Sequence, residues 1–332
     1  MANVHGRCGS EKELISNCDL DIKEFRDIKR LRSAFNDDLF HKKMEFYKKL
    51  PVMIQDDDDL LGNYQDKFVK LEKSWKEKIN QTNQELSAKW KLLTNWKLWH
   101  IFGYLTHYFK LKNQESILMP NDFNENLDKQ KQVLSRIENY KKNPERIFQD
   151  SESLLIKNLN HLDEIQKTPH FFGAEGELRV LEELKKLDDS FNIFCDVNIS
   201  SDDWITYRGE KNLGSAQLDF LIVSNKGIFV VEVKNWTRDY ISSHRGLSPY
   251  EQLDRSGRLM YTFLKNFFNK PKVNKILVNL KDKFEYNQDY KSVIPISFPG
   301  LVSYILRKKK TLEDNNVERI KNMILPNNFI SI

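Results

Sequence analysis

Asp219, Glu232 and Lys234 interrupt two apolar runs, and their spacing is the first sign of chemistry in the chain. They belong to segment 214–236, GSAQLDFLIVSNKGIFVVEVKNW. Two β-branched and aromatic runs, 217–223 and 228–234, flank Ser224-Asn225-Lys226-Gly227, the grammar of an antiparallel hairpin. A link of this length sets Val223 opposite Ile228, and therefore Asp219 opposite Glu232 and Gln217 opposite Lys234. Side chains alternate faces along a strand, so Gln217, Asp219, Glu232 and Lys234 form one square on one face. Directly opposed residues hold their Cβ atoms roughly 4.5–5.5 Å apart. Two carboxylates at that distance repel each other and resist desolvation. Lys234 supplies one balancing charge. A divalent cation with oxygen ligands, such as Mg²⁺ or Mn²⁺, would supply the rest. The plainer alternative is a solvent-facing hairpin with an ordinary charged network. The unbroken run FLIVSNKGIFVV speaks against it, because a half-exposed strand alternates more cleanly.

A third carboxylate comes from a different element. Residues 173–187, GAEGELRVLEELKKL, have helical periodicity with an apolar stripe of Val180, Leu181, Leu184 and Leu187. Glu177 lies three and four positions before Val180 and Leu181, inside that stripe, where a carboxylate needs a partner. A glutamate snorkelling from the helix edge is the alternative. Further on, Ser248-Pro249-Tyr250-Glu251 signals a helix start: a capping serine, a proline at the first helical position and an acid completing a capping box. That helix runs to about 268 with Leu259, Met260, Phe263, Leu264 and Phe267 inward. Gln252 and Arg255 lie at the edge of its inward face.

These residues need a sheet domain to position them, and the chain after Thr168-Pro169 has that grammar. A strand at 191–199, a polar loop at 200–214, the hairpin, the 249–268 helix, strands at 275–280 and 292–298, and a closing helix at 317–324 make a mixed α/β domain over 169–332. Residues 1–168 are helical almost throughout. A helix over 19–50 is expected to end at Pro51, and Asp56-Asp57-Asp58-Asp59 to begin the next, since acids favour a helix N-terminus. The spacing from Leu61 to Leu93 resembles a coiled-coil or helical-hairpin seam. Helices over 122–143 and 145–165 complete an all-α, coiled-coil-like arm with no catalytic grouping. Self-association or a protein partner is its expected role.

Composition narrows the class. With 332 residues, 39% hydrophobic and 30% charged, the chain describes a soluble globular protein. The net charge of +5 permits nucleic-acid binding without demanding it. Cys8, Cys18 and Cys195 are too few and too oddly spaced for a disulfide framework or a zinc site, which fits a reducing cytoplasm. The charged N-terminus lacks a signal-type apolar core, and no window reaches the ~18 apolar residues of a membrane span. The stretch 90–109, WKLLTNWKLWHIFGYLTHYF, comes nearest and reads as a buried helical turn. The basic run 307–310 reads as a solvated face, with contact to a phosphate backbone as the alternative.

Taken in order, GAEGE at 173–177, QLD at 217–219, GIFVVEVKNW at 227–236 and SPYEQ at 248–252 resemble the nuclease-related domain family, itself similar to the PD-(D/E)XK nucleases. The resemblance covers roughly 170–290. It implies a restriction-endonuclease-like fold for the C-terminal domain and a Mg²⁺- or Mn²⁺-dependent nuclease acting on DNA, in DNA processing or host defence. It also implies that Asp219 and Glu232 bind the metal, that Glu177 is the helix carboxylate of the same site, that Lys234 is the lysine of the E-x-K motif, and that Gln252 is the polar residue on the later helix. Gln217 and Arg255 would support that set. The glycine often found soon after the E-x-K motif is missing, and no helicase or zinc-ribbon partner domain is legible. The contrasting expectation is a catalytically inactive nucleic-acid-binding or coiled-coil scaffold on the same fold.

Overall fold

The computed structural model describes residues 1–93, 105, 109, 118–243, 245–325 and 329–332. The chain divides into two compact units, one of residues 1–34 with 158–332 and one of residues 35–157.

The first unit is built on a seven-stranded mixed sheet. Its strands are β1 (Asn3–His5), β2 (Asn192–Tyr207), β3 (Glu210–Ser224), β4 (Gly227–Lys234), β5 (Val273–Asn279), β6 (Val293–Ser297) and β7 (Phe329–Ser331). They lie in the order β1-β2-β3-β4-β5-β6. β2, β3 and β4 are antiparallel, whereas β4, β5 and β6 are parallel. Both β1 and β7 pair parallel with β2, β1 along its first residues and β7 further along. The ten helices described are α1 (Gly9–Ser16), α2 (Phe25–Leu93), α3 (Asp122–Lys142), α4 (Pro144–Ser151), α5 (Ser153–Ile165), α6 (Pro169–Leu184), α7 (Arg238–Ser243), α8 (Pro249–Lys265), α9 (Leu301–Leu306) and α10 (Asp314–Ile324).

The continuous apolar run of the hairpin has its explanation in two core layers, one on each face of the sheet. Leu221, Val223, Ile228 and Val230 pack with Leu253, Leu259, Met260 and Leu264 of α8 and Val317, Ile320 and Ile324 of α10. Phe220, Ile222, Phe229 and Val231 pack with Val180, Leu181 and Leu184 of α6 and Leu301 and Ile305 of α9. A sheet covered on both faces has no need of polar alternation. The expected mixed α/β domain is present.

Several local expectations are corrected. Residues 1–34, read as part of the helical half, pack with the sheet: β1 extends β2, and α1 lies against α6. The polar loop expected over 200–214 is a β-hairpin, with Tyr207 paired to Glu210. Arg208 and Gly209 both have positive φ, 52° and 89°, the geometry of a tight two-residue turn. α6 starts at Pro169, four residues early, because the Thr168 side chain accepts a bond from the Phe171 N–H. Ser248 precedes α8 without capping it through its side chain, so Pro249 alone marks that start as expected.

In the second unit Pro51 does not end a helix. α2 runs through it and is 69 residues long in all. A proline inside a helix forfeits one backbone bond and crowds the preceding turn, but α2 makes contacts on both sides of it. Phe46 packs on Phe148 before the proline, and Asp57 takes two bonds from Arg136 after it. The aspartate run is therefore mid-helix, and Asp57 is committed to an ion pair. Phe68 meets Phe123 while Asp57 meets Arg136, so α3 runs antiparallel to α2. The helix expected over 145–165 is two, α4 and α5, separated at Glu152. The stretch 90–109 lies mostly outside the described residues. No described helix is long and apolar enough to cross a membrane.

Candidate active site

The β3–β4 ladder ends at Phe220↔Val231, one step before Asp219 and Glu232. Beyond that pair the Val233 N–H bonds to Asp219 Oδ2, at 2.7 Å, instead of to a backbone carbonyl. A side chain thus takes over from the backbone where the strands part. Asp219 and Glu232 both line the cleft just past the end of the ladder, and Asp219 disfavours ionisation of Glu232. Lys234 completes the group: its Nζ donates to Glu232 Oε1 at 2.6 Å and to Gln252 Oε1 at 3.2 Å. Gln252 reaches it from the first turn of α8, where Pro249 fixes the helix start.

Glu177 reaches the same cleft from α6 and is 6% exposed, while Glu232 is 1% exposed. The cleft, of about 420 Å³, is lined by Glu177, Asp219, Glu232, Lys234, Gln252 and Ser10, with Lys167, Asn235, Trp236, Tyr240 and Lys281 among its other walls. Burial and then repulsion from Asp219 push the Glu232 carboxyl up to about 8, against the pull of Lys234. Burial and Asp219 likewise raise Glu177 to about 8, although two bonds from Ser10 oppose the rise. Asp219 is raised chiefly by burial, with Lys234 and the Val233 N–H acting against it. Burial alone would lower Lys234, but Glu232 and then Asp219 outweigh it and its pKa is raised. The cluster brings together more carboxyl groups than Lys234 can balance, which is why they are pushed toward the protonated form.

Two expected supporting residues lie elsewhere. Gln217 donates from Nε2 to Asp196 Oδ1 at 2.5 Å, alongside the ion pair from Lys12 to Asp196 Oδ2. The cause is a break in strand alternation. Asp196 takes a positive φ of 54°, and the pairs Cys195↔Phe220 and Val197↔Leu218 bracket Asp196 and Asp219. Phe194 and Val197 share one core layer, as do Leu218 and Leu221, although strict alternation separates residues three apart. Gln217 is therefore turned to the opposite side from Asp219. Arg255 is also outside the cleft: it donates to the Asn212 carbonyl at 2.9 Å and stacks over Tyr207.

The sequence reading missed other parts of the site. Ser10 Oγ donates to Glu177 Oε1 at 2.5 Å, and its N–H to Oε2 at 3.3 Å. Asn279, buried at the end of β5, receives the Trp236 N–H and donates to the Trp236 carbonyl, fixing the chain beyond Lys234. As a polar residue ending an apolar strand it carried the same kind of signal as Asp219. Asn235 donates to the Phe172 carbonyl. Among the described residues no three His, Cys, Asp or Glu side chains are placed to grip one ion as they stand. Among the described residues, none donates to Asp219 Oδ1 or Glu232 Oε2.

The family model of the nuclease-related domain matches residues 172–279, from within α6 to the last residue of β5. No curated protein and no solved structure matches the chain. The matched span holds Glu177, Asp219, Glu232, Lys234 and Gln252, every carboxylate of the cleft together with the lysine paired to Glu232 and the glutamine that lysine donates to. The chain therefore carries a nuclease-related domain.

Proposed function

We propose that this protein is a metal-dependent nuclease that hydrolyses phosphodiester bonds in DNA, with Mg²⁺ or Mn²⁺ as its cofactor. The observation that supports this most is the convergence of Glu177 and Glu232, both buried, with the half-buried Asp219 and with Lys234 on a single cleft of a nuclease-related domain. The donor set suits Mg²⁺, which is held by one or two carboxylates and otherwise keeps waters and phosphate oxygens. Asp219 and Glu232 would hold the ion through their oxygens without a protein donor, and Glu177 directly or through a water. When bound, such an ion lowers the pKa of a coordinated water and offsets charge on the phosphate.

The remaining roles belong to the chain. Lys234, held between Glu232 and Gln252, places a positive charge where the attacking water and the developing phosphate charge must lie. Gln252 fixes the direction of that ammonium. Lys167 and Lys281 add positive charge at the walls, suited to neighbouring phosphates. We assign partner binding or self-association to the helical unit, where Phe40, Met44 and Val52 of α2 are exposed apolar side chains. The free thiols fit a cytoplasmic setting. DNA processing or host defence is the context that the family resemblance supports.

The test is incubation of the full chain with linear, circular and single-stranded DNA, and RNA, under Mg²⁺, Mn²⁺ or chelator. Cleavage that requires the metal and is lost in Glu232→Ala and Lys234→Ala is expected. Cleavage unchanged in both variants would contradict the assignment. A second reading, a nucleic-acid-binding module without activity, draws on Lys234 already neutralising Glu232. It predicts salt-sensitive DNA affinity, indifferent to metal and with no products.

A further inference from the structure

We infer that residues 1–18, outside the span matched by the nuclease-related domain, complete the site, with Ser10 as the positioning residue of the Glu177 carboxylate. The inference rests on the reading of Glu177 as part of a metal-dependent centre. Ser10 occupies both oxygens of that carboxylate, one through its hydroxyl and one through its backbone N–H. It also lines the cleft itself. Each carboxylate oxygen keeps a second lone pair for water or an ion. Two bonds from one residue fix both the position and the roll of the group, which a single bond cannot do.

The segment that carries Ser10 is anchored independently on two sides. β1 pairs with β2, placing Asn3 beside Asn192 and His5 beside Phe194. One turn into α1, Lys12 pairs with Asp196 at 2.5 Å, and Gln217 holds the other oxygen of that aspartate. The network that drew Gln217 away from the catalytic group thus serves to seat α1. Two glycines allow the approach. A Cβ on Gly9 would lie 3.0 Å from Asp196 Oδ1, and a Cβ on Gly173 would lie 2.7 Å from Ser10 Oγ. At Gly173 a single added methyl would have to displace the hydroxyl that grips Glu177. The first glycine of the 173–177 motif is accordingly a seat for α1.

The test uses the full-length chain as wild type, Ser10→Ala, Ser10→Thr and Gly173→Ala. Two readouts are taken: the crystal structure of each and its affinity for Mn²⁺ by calorimetry. Ser10→Ala and Gly173→Ala are expected to move the Glu177 carboxylate from its wild-type position and to weaken Mn²⁺ binding by about 10- to 100-fold, the usual loss when a ligand's own support is removed. Ser10→Thr, which keeps the hydroxyl, is expected to restore the carboxylate position and most of the affinity. If Ser10→Ala does not fold, Gly173→Ala carries the comparison. A Glu177 carboxylate unmoved in both variants, with wild-type Mn²⁺ affinity, overturns the positioning role. Wild-type protein that binds no Mn²⁺ overturns the metal reading instead, and the crystal structures then decide the role of Ser10 alone.

Discussion

Glu232 and Lys234 form a nearly buried ion pair, with side chains 2% and 17% exposed, and the behaviour of such a pair depends on which partner is removed. Deleting one member of a buried pair typically costs about 3–5 kcal/mol because the other charge is left uncompensated. Glu232 has a way out, since its pKa already stands at about 8 and it can take up a proton. Lys234→Ala is therefore expected to be mildly destabilised near pH 6 and much more so near pH 9, as read by thermal melting. A loss equal at both pH values would show that Glu232 is not the charge being stranded. At this scale the sequence was informative wherever local periodicity governs. Asp219, Glu232 and Lys234 follow from period-two alternation and a short link, and Glu177 from a helical stripe. Gln217 was misplaced because one residue, Asp196, leaves the extended region and resets the alternation around it. Ser10 was illegible, since it meets Glu177 from 167 residues away.

The elements were legible in kind more than in extent. The hairpin, α6, α8, β5 and β6 follow from hydrophobic period and turn residues, whereas the outer half of β2 and β3 was read as loop. Its strand residues, Trp204 to Tyr207, follow four polar ones, Ser200 to Asp203, and Arg208-Gly209 is a less common turn pair than Asn-Gly. Gly209 has φ 89°, so Gly209→Ala should cost about 1–2 kcal/mol, measured by denaturant unfolding. An unchanged midpoint would argue that the turn is not formed as described. Pro51 was read as a stop because proline ends most helices, yet tertiary contacts on either side outweigh it here. Pro51→Ala should stabilise the second unit, by up to about 3 kcal/mol if the helix is otherwise unchanged. Destabilisation would mean that the proline ring itself is needed for packing.

For the whole molecule, the raised carboxyls link stability to pH. Glu177 and Glu232 titrate near 8 when folded and near the ordinary 4.5 when unfolded. Between those values the folded state holds more protons, so their contribution is full below about pH 4.5 and is lost as pH rises through 8. The metal-free protein is expected to melt lower at pH 9 than at pH 6, and Glu232→Gln to flatten that slope. Added Mg²⁺ should raise the melting temperature more at pH 9, where protons no longer compete for the carboxylates. The same size of Mg²⁺ effect at both pH values would count against the cluster as the binding site. The N-terminal segment gives a further expectation: fragment 169–332 lacks β1 and α1, so it should be less stable than the intact sheet unit. A fragment that melts as the full chain does would show that those elements are dispensable.

The central claim is that Asp219 and Glu232 share a divalent cation. Anomalous diffraction at the manganese absorption edge, from crystals of the full chain grown with Mn²⁺, tests it most directly. The expected result is a single strong peak in the cleft, within coordination distance of Asp219 Oδ1 and Glu232 Oε2 and absent from crystals of Glu232→Ala. Saturating Mn²⁺ with no peak there, and Lys234 still bonded to Glu232, would contradict it.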